Sequence, residues 1–442
     1  MTTTTLLRRS ETPDVQDTPR WVLLLLLLVP ASAPLAYVPV LGGPVPLRMM
    51  AAVGLVAASA VAATRASRGL VPLHTRPVTW VLIALVLLSL ASSAVARDPQ
   101  GALRADFLQV TGLLIAVSFG TAFTRPEWAR RAVGVLLAVG ALVCGQAVQG
   151  AGSLQASYSG TYVANRAQGL FAQPNDLGSF SALVLVLALT ATLSARNGWT
   201  RGLCGACLVL SGWALVLSLS RGAILGALLG IVVLPLLLPE LRRGYVISLG
   251  LGLPVLLFVL MHAAPRSTSS IVAERIATIG SGEVSPLDER TAIWAEAGRQ
   301  IRDHPFLGVG PGGYPLAAVN NDDRVLTLTP SQGAAGAVTA LGPDHAHDVL
   351  LTTAAEVGVG GAALLALATV WLGWQARSTA RSLIDRRERL LVAGLAAGLS
   401  SFVAQGVFDY VLRNQLLLFL VWLVAGLLIG ACAGAEQRRS AL

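Results

Sequence analysis

The chain has 442 residues, is 54% hydrophobic and only 12% charged, and carries a net charge of +9 with a mean hydropathy of +0.68. A soluble domain carries about 25% charged residues, so this composition excludes a string of soluble domains, and apolar runs of about 20 residues exclude barrel strands. Every basic residue is arginine, which excludes a P-loop lysine or a lysine Schiff base; the arginines sit in short loops and read as topology determinants rather than a nucleic-acid surface.

Residues 1–20 form a polar tail with Arg8, Arg9 and Arg20, followed by an apolar run from Trp21 to Val40. The basic residues, the leucines and Ala31-Ser32-Ala33 have the layout of a cleaved signal peptide. The run continues through Leu35, Tyr37 and Val40, which favours a retained span. Further spans are expected at about 47–64, 77–95, 107–123, 132–150, 178–195, 202–219, 222–239, 245–264, 348–374, 388–408 and 413–433, about twelve in all.

Arginines cluster in alternate loops, as in Arg65, Arg68 and Arg76, Arg125, Arg130 and Arg131, and Arg377 to Arg389. The positive-inside rule then places both termini in the cytoplasm and the long polar segment outside. The expected organisation is a membrane domain over 1–264, an outer loop with an amphipathic helix over 265–347, and a second membrane domain over 348–442. A twelve-span chain is also a transporter layout, but no repeat relates 1–220 to 221–442.

The four cysteines, Cys144, Cys204, Cys207 and Cys432, lie in apolar segments. Cys204 and Cys207 have redox spacing but no His or carboxylate partner in their span, so they read as inert apolar residues.

Unusual polar groups gather at the outer ends of spans. The first set is Asn165-Arg166 with Gln173-Pro174-Asn175-Asp176. The second is Ser218-Leu219-Ser220-Arg221-Gly222, a hairpin so short that Arg221 stands at a span end. Two readings of Arg221 stand: an arginine snorkelling to headgroups, or a cation aimed at an anionic group at the membrane surface. The third is a helix from an Asp288 cap through Arg302, with Ile293, Trp294, Ala297 and Ile301 on one face. Arg290, four residues before Trp294, shares that face. Turned toward bilayer or bundle, it needs a partner: a membrane-borne phosphate, or Asp288 or Glu289.

The fourth set is Asp344-His345-Ala346-His347-Asp348, entering the tenth span, with Asp344 as a helix cap. Two residues apart, the histidines cannot share a helix face, and a helix N-terminus keeps an imidazole neutral and able to act as a base. No third or fourth ligand stands at zinc spacing, so no metal is expected. Glu356 lies about two turns inside the span, a functional flag by position, and Asp409 ends the next span on the same side. Arginine forks can neutralise a diphosphate leaving group, and a neutral histidine can deprotonate a hydroxyl. No nucleotide-phosphate motif is present. The combination suits transfer from a lipid-linked diphosphate donor; Arg166 and His345 join the site on this reading alone, as a further diphosphate ligand and a supporting group.

Ser220-Arg221-Gly222, Arg290 with Trp294, the run His304-Pro305-Phe306-Leu307-Gly308-Val309-Gly310-Pro311-Gly312, and His347-Asp348 followed by Gly358 and Gly361 together resemble the bacterial O-antigen ligase and polymerase superfamily. Asp348 stands where those ligases have Asn, Ser or Gln. The resemblance implies a fold like the GT-C type of membrane glycosyltransferase in the bacterial inner membrane. It implies a metal-independent, inverting transfer of O-antigen polysaccharide from undecaprenyl diphosphate to the lipid A–core oligosaccharide, without a cofactor. In that scheme His347 is the base, Arg221 and Arg290 hold the diphosphate, and Asp409, Asp348 and Glu356 support them. An O-antigen polymerase, a protein O-oligosaccharyltransferase and a lipid-linked sugar transporter are the alternatives.

Overall fold

Proline marks where helices begin. Pro77, Pro99, Pro126 and Pro174 occupy the first turn of their helices, where the missing N–H costs nothing and the fixed φ is already helical. The computed structural model describes residues 18–37, 46–68, 76–151, 155–156, 162–163, 166–171, 173–242, 285–319 and 345–440. The ninth expected span, Asp322-Asp323 and Asp344 lie outside the described residues.

The first eight helices are α1 (Arg20–Ala31), α2 (Pro46–Ala66), α3 (Pro77–Ser93), α4 (Pro99–Ala122), α5 (Pro126–Gln149), α6 (Pro174–Ser194), α7 (Gly198–Leu217) and α8 (Arg221–Leu237). Then follow α9 (Ser285–Asp303), α10 (Tyr314–Val319), α11 (Val349–Val357), α12 (Val359–Ser382), α13 (Arg386–Gly406) and α14 (Gln415–Ser440). A two-residue antiparallel pair, Gln155–Ala156 with Tyr162–Val163, joins α5 to α6. Among the described residues, seven helices (α4 to α7 and α12 to α14) are long and apolar enough to cross a membrane, and α1, the Met50–Ala66 part of α2, α3 and α8 are shorter apolar stretches at expected span positions. The chain is a multi-pass, helical membrane protein.

α14 is apolar all round and buried along nearly its whole length, from Leu416 to Ala435, as expected of a helix at the centre of a bundle. It packs on α4, and α13 packs on α6 and α8. Small residues set the second contact. Gly222, Gly226 and Gly230 lie one turn apart on α8, against the Phe408 Cβ, Ser401 O and Ala397 O of the α13 segment. Glycines at this spacing let two backbones touch, which brings the start of α8, and with it Arg221, to the end of α13.

Two expectations are corrected here. The tenth span, expected as one run over 348–374, is two helices broken at Gly358, whose φ of 87° and ψ of 170° suit glycine. The helix expected to start on an Asp288 cap runs Ser285–Asp303, so Asp288 lies within it.

A turn from elsewhere in the chain fills the break. Val309 N–H donates to Ala355 O at 2.9 Å, Gly310 N–H to Glu356 O at 3.0 Å, and Val359 N–H to Pro305 O at 2.9 Å. The Ser92 hydroxyl donates to Leu307 O and to Glu356 O. Broken helices are stable at membrane depth only where other protein groups take up the freed carbonyls, and the His304–Gly312 run does so. Gly308, at φ 64°, lies so close to the Ala355–Glu356 backbone that a Cβ would collide with it.

Candidate active site

His345 and His347 precede α11 instead of lying on it, so the helical-face argument does not apply to them. Asp348 is the helix cap, accepting from Leu351 N–H at 2.8 Å, in place of Asp344. The two rings meet edge to face with centroids 4.2 Å apart. His347 has φ 51°, a left-handed conformation that costs a non-glycine residue about 1–2 kcal/mol.

Several bonds hold that conformation. His347 N–H donates to His345 Nδ1 at 3.0 Å. On Ala346, the N–H donates to Thr352 Oγ1 at 3.2 Å and the carbonyl accepts from Trp294 Nε1 at 3.1 Å. Trp294 thus fastens α9 to the histidine turn. The apolar face of α9 packs on protein: Ile293 and Ala297 form a buried cluster with Tyr314, Ala346 and Ala355. Arg290, one turn before Trp294 on α9, is half-buried.

The side chain of His347 reaches across the bundle. Its Nδ1 lies 3.2 Å from Asp409 Oδ1, a residue 62 positions later. Asp409 Oδ1 also accepts from Tyr410 N–H, and Oδ2 accepts from Asn175 Nδ2 at 2.7 Å. Burial alone would push the Asp409 carboxyl up, but the His347 hydrogen bond and the charges of His347 and His345, with the Asn175 bond, hold it down at about 2. Asp409 is therefore an anion at neutral pH, facing Nδ1 of a ring that is one-third exposed.

The other expected residues fall in distinct places. Arg166 turns Nε to Ser218 O at 2.9 Å and Nη2 to Asn175 Oδ1 at 2.9 Å, so two donors expected at a diphosphate are engaged by protein. Arg221 opens α8 behind a Ser220 cap. It and Arg290 make no hydrogen bond or ion pair among the described residues. Glu356 is a fastener: its carboxylate accepts from Tyr314 N–H at 3.4 Å and from Gly312 N–H, tying the wedge turn to α11. His345 is buried, packed between His347 and Tyr410.

A third potential metal ligand, invisible at zinc spacing, does come near. The ligand atoms of His345, His347 and Asp409 lie within 4.8 Å of one another. The direct His347–Asp409 contact and the bond to His345 Nδ1 already engage ligand atoms of all three residues. A cleft of about 690 Å³ runs from this corner into the bundle. Its walls are apolar residues of α3, α12, α13 and α14, and His345, Asp348, Tyr410 and Arg413 stand at its polar end.

Sequence reading named Asn175 only as one of several polar loop residues and missed its place beneath Asp409. It missed Asp106 altogether. That buried carboxylate on α4 accepts hydroxyls from Ser89 and Ser93 on α3. Asp106 stands one residue before the expected 107–123 span, and that place at a span end was the available signal.

The family described as O-Antigen ligase matches residues 206–366. The match spans a little over a third of the chain. It contains Arg221, Arg290, the wedge turn and both histidines, while Arg166, Asn175 and Asp409 approach it from outside. No curated protein matches the chain. A solved structure from work on "structural coordination of polymerization and crosslinking by a peptidoglycan synthase complex" aligns over 81% of this chain and 98% of that one. Its identity is 17% and its TM-score 0.45, too distant a likeness to carry an argument beyond the O-antigen ligase match.

Proposed function

We propose that the protein is an O-antigen ligase, moving a polysaccharide from undecaprenyl diphosphate to the lipid A–core oligosaccharide at the periplasmic side of the bacterial inner membrane. Both termini are then cytoplasmic. The observation that carries this reading is the His347–Asp409 pair, whose chain neighbours His345, Asp348 and Tyr410 line an apolar cleft, in a protein whose half-buried Arg221 and Arg290 make no hydrogen bond or ion pair among the described residues.

With the proton of His347 held at Nδ1 by Asp409, Nε2 keeps its lone pair for the acceptor hydroxyl. The geometry favours His347 over His345 as the base, because His345 is buried and its Nδ1 already accepts a main-chain N–H. The acceptor oxygen attacks the anomeric carbon as the bond to the diphosphate breaks, and Arg221 and Arg290 neutralise the departing charge. Attack opposite the leaving group inverts the anomeric centre. The cleft has the volume and apolar lining of a small-molecule site, suited to a hydrocarbon chain attached to the reacting diphosphate. No step calls for a metal or cofactor.

The test is reconstitution of the full chain with lipid-linked polysaccharide and uncapped lipopolysaccharide in chelator. Joined product is expected from the wild type and none above background from His347→Ala. Capping by His347→Ala at wild-type rate removes the base assignment. Polymer lengthened on the donor lipid, with the lipopolysaccharide left uncapped, makes the protein a polymerase instead.

A further inference from the structure

Resting on His347 as the base, the geometry points to Asn175 as a positioning residue, with Arg166 behind it: a polar relay that fixes the tautomer of His347. Asn175 accepts from Arg166 at Oδ1 (2.9 Å) and donates to Asp409 Oδ2 at Nδ2 (2.7 Å). A side-chain amide donates through its nitrogen and accepts through its oxygen. A guanidinium offers only N–H groups and a carboxylate only lone pairs, so the amide orientation is forced. Asp409, gripped from behind, turns Oδ1 to His347 Nδ1. Each bond sets the direction of the next, from Arg166 through Asn175 and Asp409 to the ring.

The main chain of Asn175 is fixed as well. Its carbonyl accepts from Ser179 Oγ at 2.8 Å and from Gln405 Nε2 at 3.3 Å. Arg166 is anchored by its bond to Ser218 O, at the end of α7. On the other side, His345 Nδ1 accepts His347 N–H, so His345 carries its own neutral proton at Nε2. The two neighbouring imidazoles are therefore opposite tautomers, and the relay removes Arg166 from the diphosphate.

Histidine-selective 15N spectra of the full chain in nanodiscs, taken near pH 9 where imidazoles are neutral, read the tautomers without reference to activity. The wild type is expected to show His347 protonated at Nδ1 and His345 at Nε2. Asn175→Ala is expected to mix the His347 tautomers and lower kcat about 10- to 100-fold, with KM for donor within about twofold. Asn175→Asp gives Arg166 a salt bridge but sets a second anion against Asp409, so it is expected to be no better than Asn175→Ala. A merely packing role tolerates it. Should the Asn175 variants fail to insert, Arg166→Gln is expected to lower kcat and leave the Kd for undecaprenyl diphosphate unchanged.

A wild-type His347 signal in Asn175→Ala, full transfer by Asn175→Asp, or a raised diphosphate Kd in Arg166→Gln overturns the relay. Such a result beside an inactive His347→Ala sinks the relay alone. Mixed tautomers beside an active His347→Ala sink the ligase mechanism alone.

Discussion

The two ends of α13 mark two ends of the bundle, and arginine is used differently at each. At the Arg386 end, Arg389 meets Glu240 at 2.9 Å, Arg438 meets Glu388 at 2.6 Å, and Arg76 meets Glu436. Arg196, Arg377 and Arg439 there make no ion pair among the described residues and are exposed to solvent. At the Gly406 end the helices are less regular and the polar groups are buried in a relay. Arg221 and Arg290 are half-buried with no partner among the described residues. A half-buried cation left unpaired is costly in protein alone, and an anionic ligand removes that cost. The difference separates arginines that hold the structure from arginines held open.

Arg221→Ala and Arg290→Ala test that separation with the largest expected effect. Each is expected to lower kcat/KM about 100- to 1,000-fold, measured as transfer in vesicles. Binding of undecaprenyl diphosphate with wild-type affinity by either variant would erase the distinction for that arginine.

The second test strikes the wedge. Gly358→Ala forces a Cβ onto Phe306 O in a backbone region that suits glycine. It is expected to cost about 2–4 kcal/mol, read as a lower thermal midpoint with transfer lost in parallel. Gly298, on α9, has open space around it. Gly298→Ala is therefore expected to be neutral or stabilising by about 0.5–1 kcal/mol. Equal effects from the two would show that the break at Gly358 is not what seats the site.

Asp409 gives the comparison a pH signature. Its carboxyl lies below the ordinary 3.8, at about 2, so the native state holds it ionised more readily than the unfolded chain does. Its contribution to stability is fully present above pH 3.8 and lost as pH falls through about 2. Unfolding followed from pH 5 to pH 2 is expected to show a steeper acid loss in the wild type than in Asp409→Asn. Parallel curves would contradict the strength of the His347 contact.

Most of the bundle was legible because a span needs about 20 apolar residues, and such runs stand out one by one. The break at Gly358 was not, since apolar residues continue through it and the carbonyls it frees are satisfied by a turn some fifty residues earlier. The histidine pair was read on helical geometry, but the Asp348 cap starts the helix one residue after His347. Ile293, Trp294 and Ala297 share one face by periodicity; that this face meets Ala346 is a tertiary fact. Asp409 could be named from its place at a span end, but its contact with His347 crosses 62 residues. Asn175 shows the limit most sharply. An asparagine beside a proline is an ordinary loop residue until the fold sets a guanidinium on one side of it and a carboxylate on the other.

The smallest expected effect lies at the opposite end. Arg438 reaches Glu388 at 2.6 Å and donates to Thr124 O at 3.2 Å, with its side chain 42% exposed. An exposed pair of this kind contributes about 0–1 kcal/mol, because water screens it and two long side chains lose freedom to form it. Arg438→Ala is expected to shift the thermal midpoint slightly, less so in high salt, and to leave transfer within about twofold of wild type. Geometrically this contact is better than anything Arg221 or Arg290 makes among the described residues. A large loss of transfer on removing it, beside modest losses at Arg221 and Arg290, would reverse the comparison: the arginines paired at the Arg386 end would be the ones coupled to function, and those held open at the site would be surface cations.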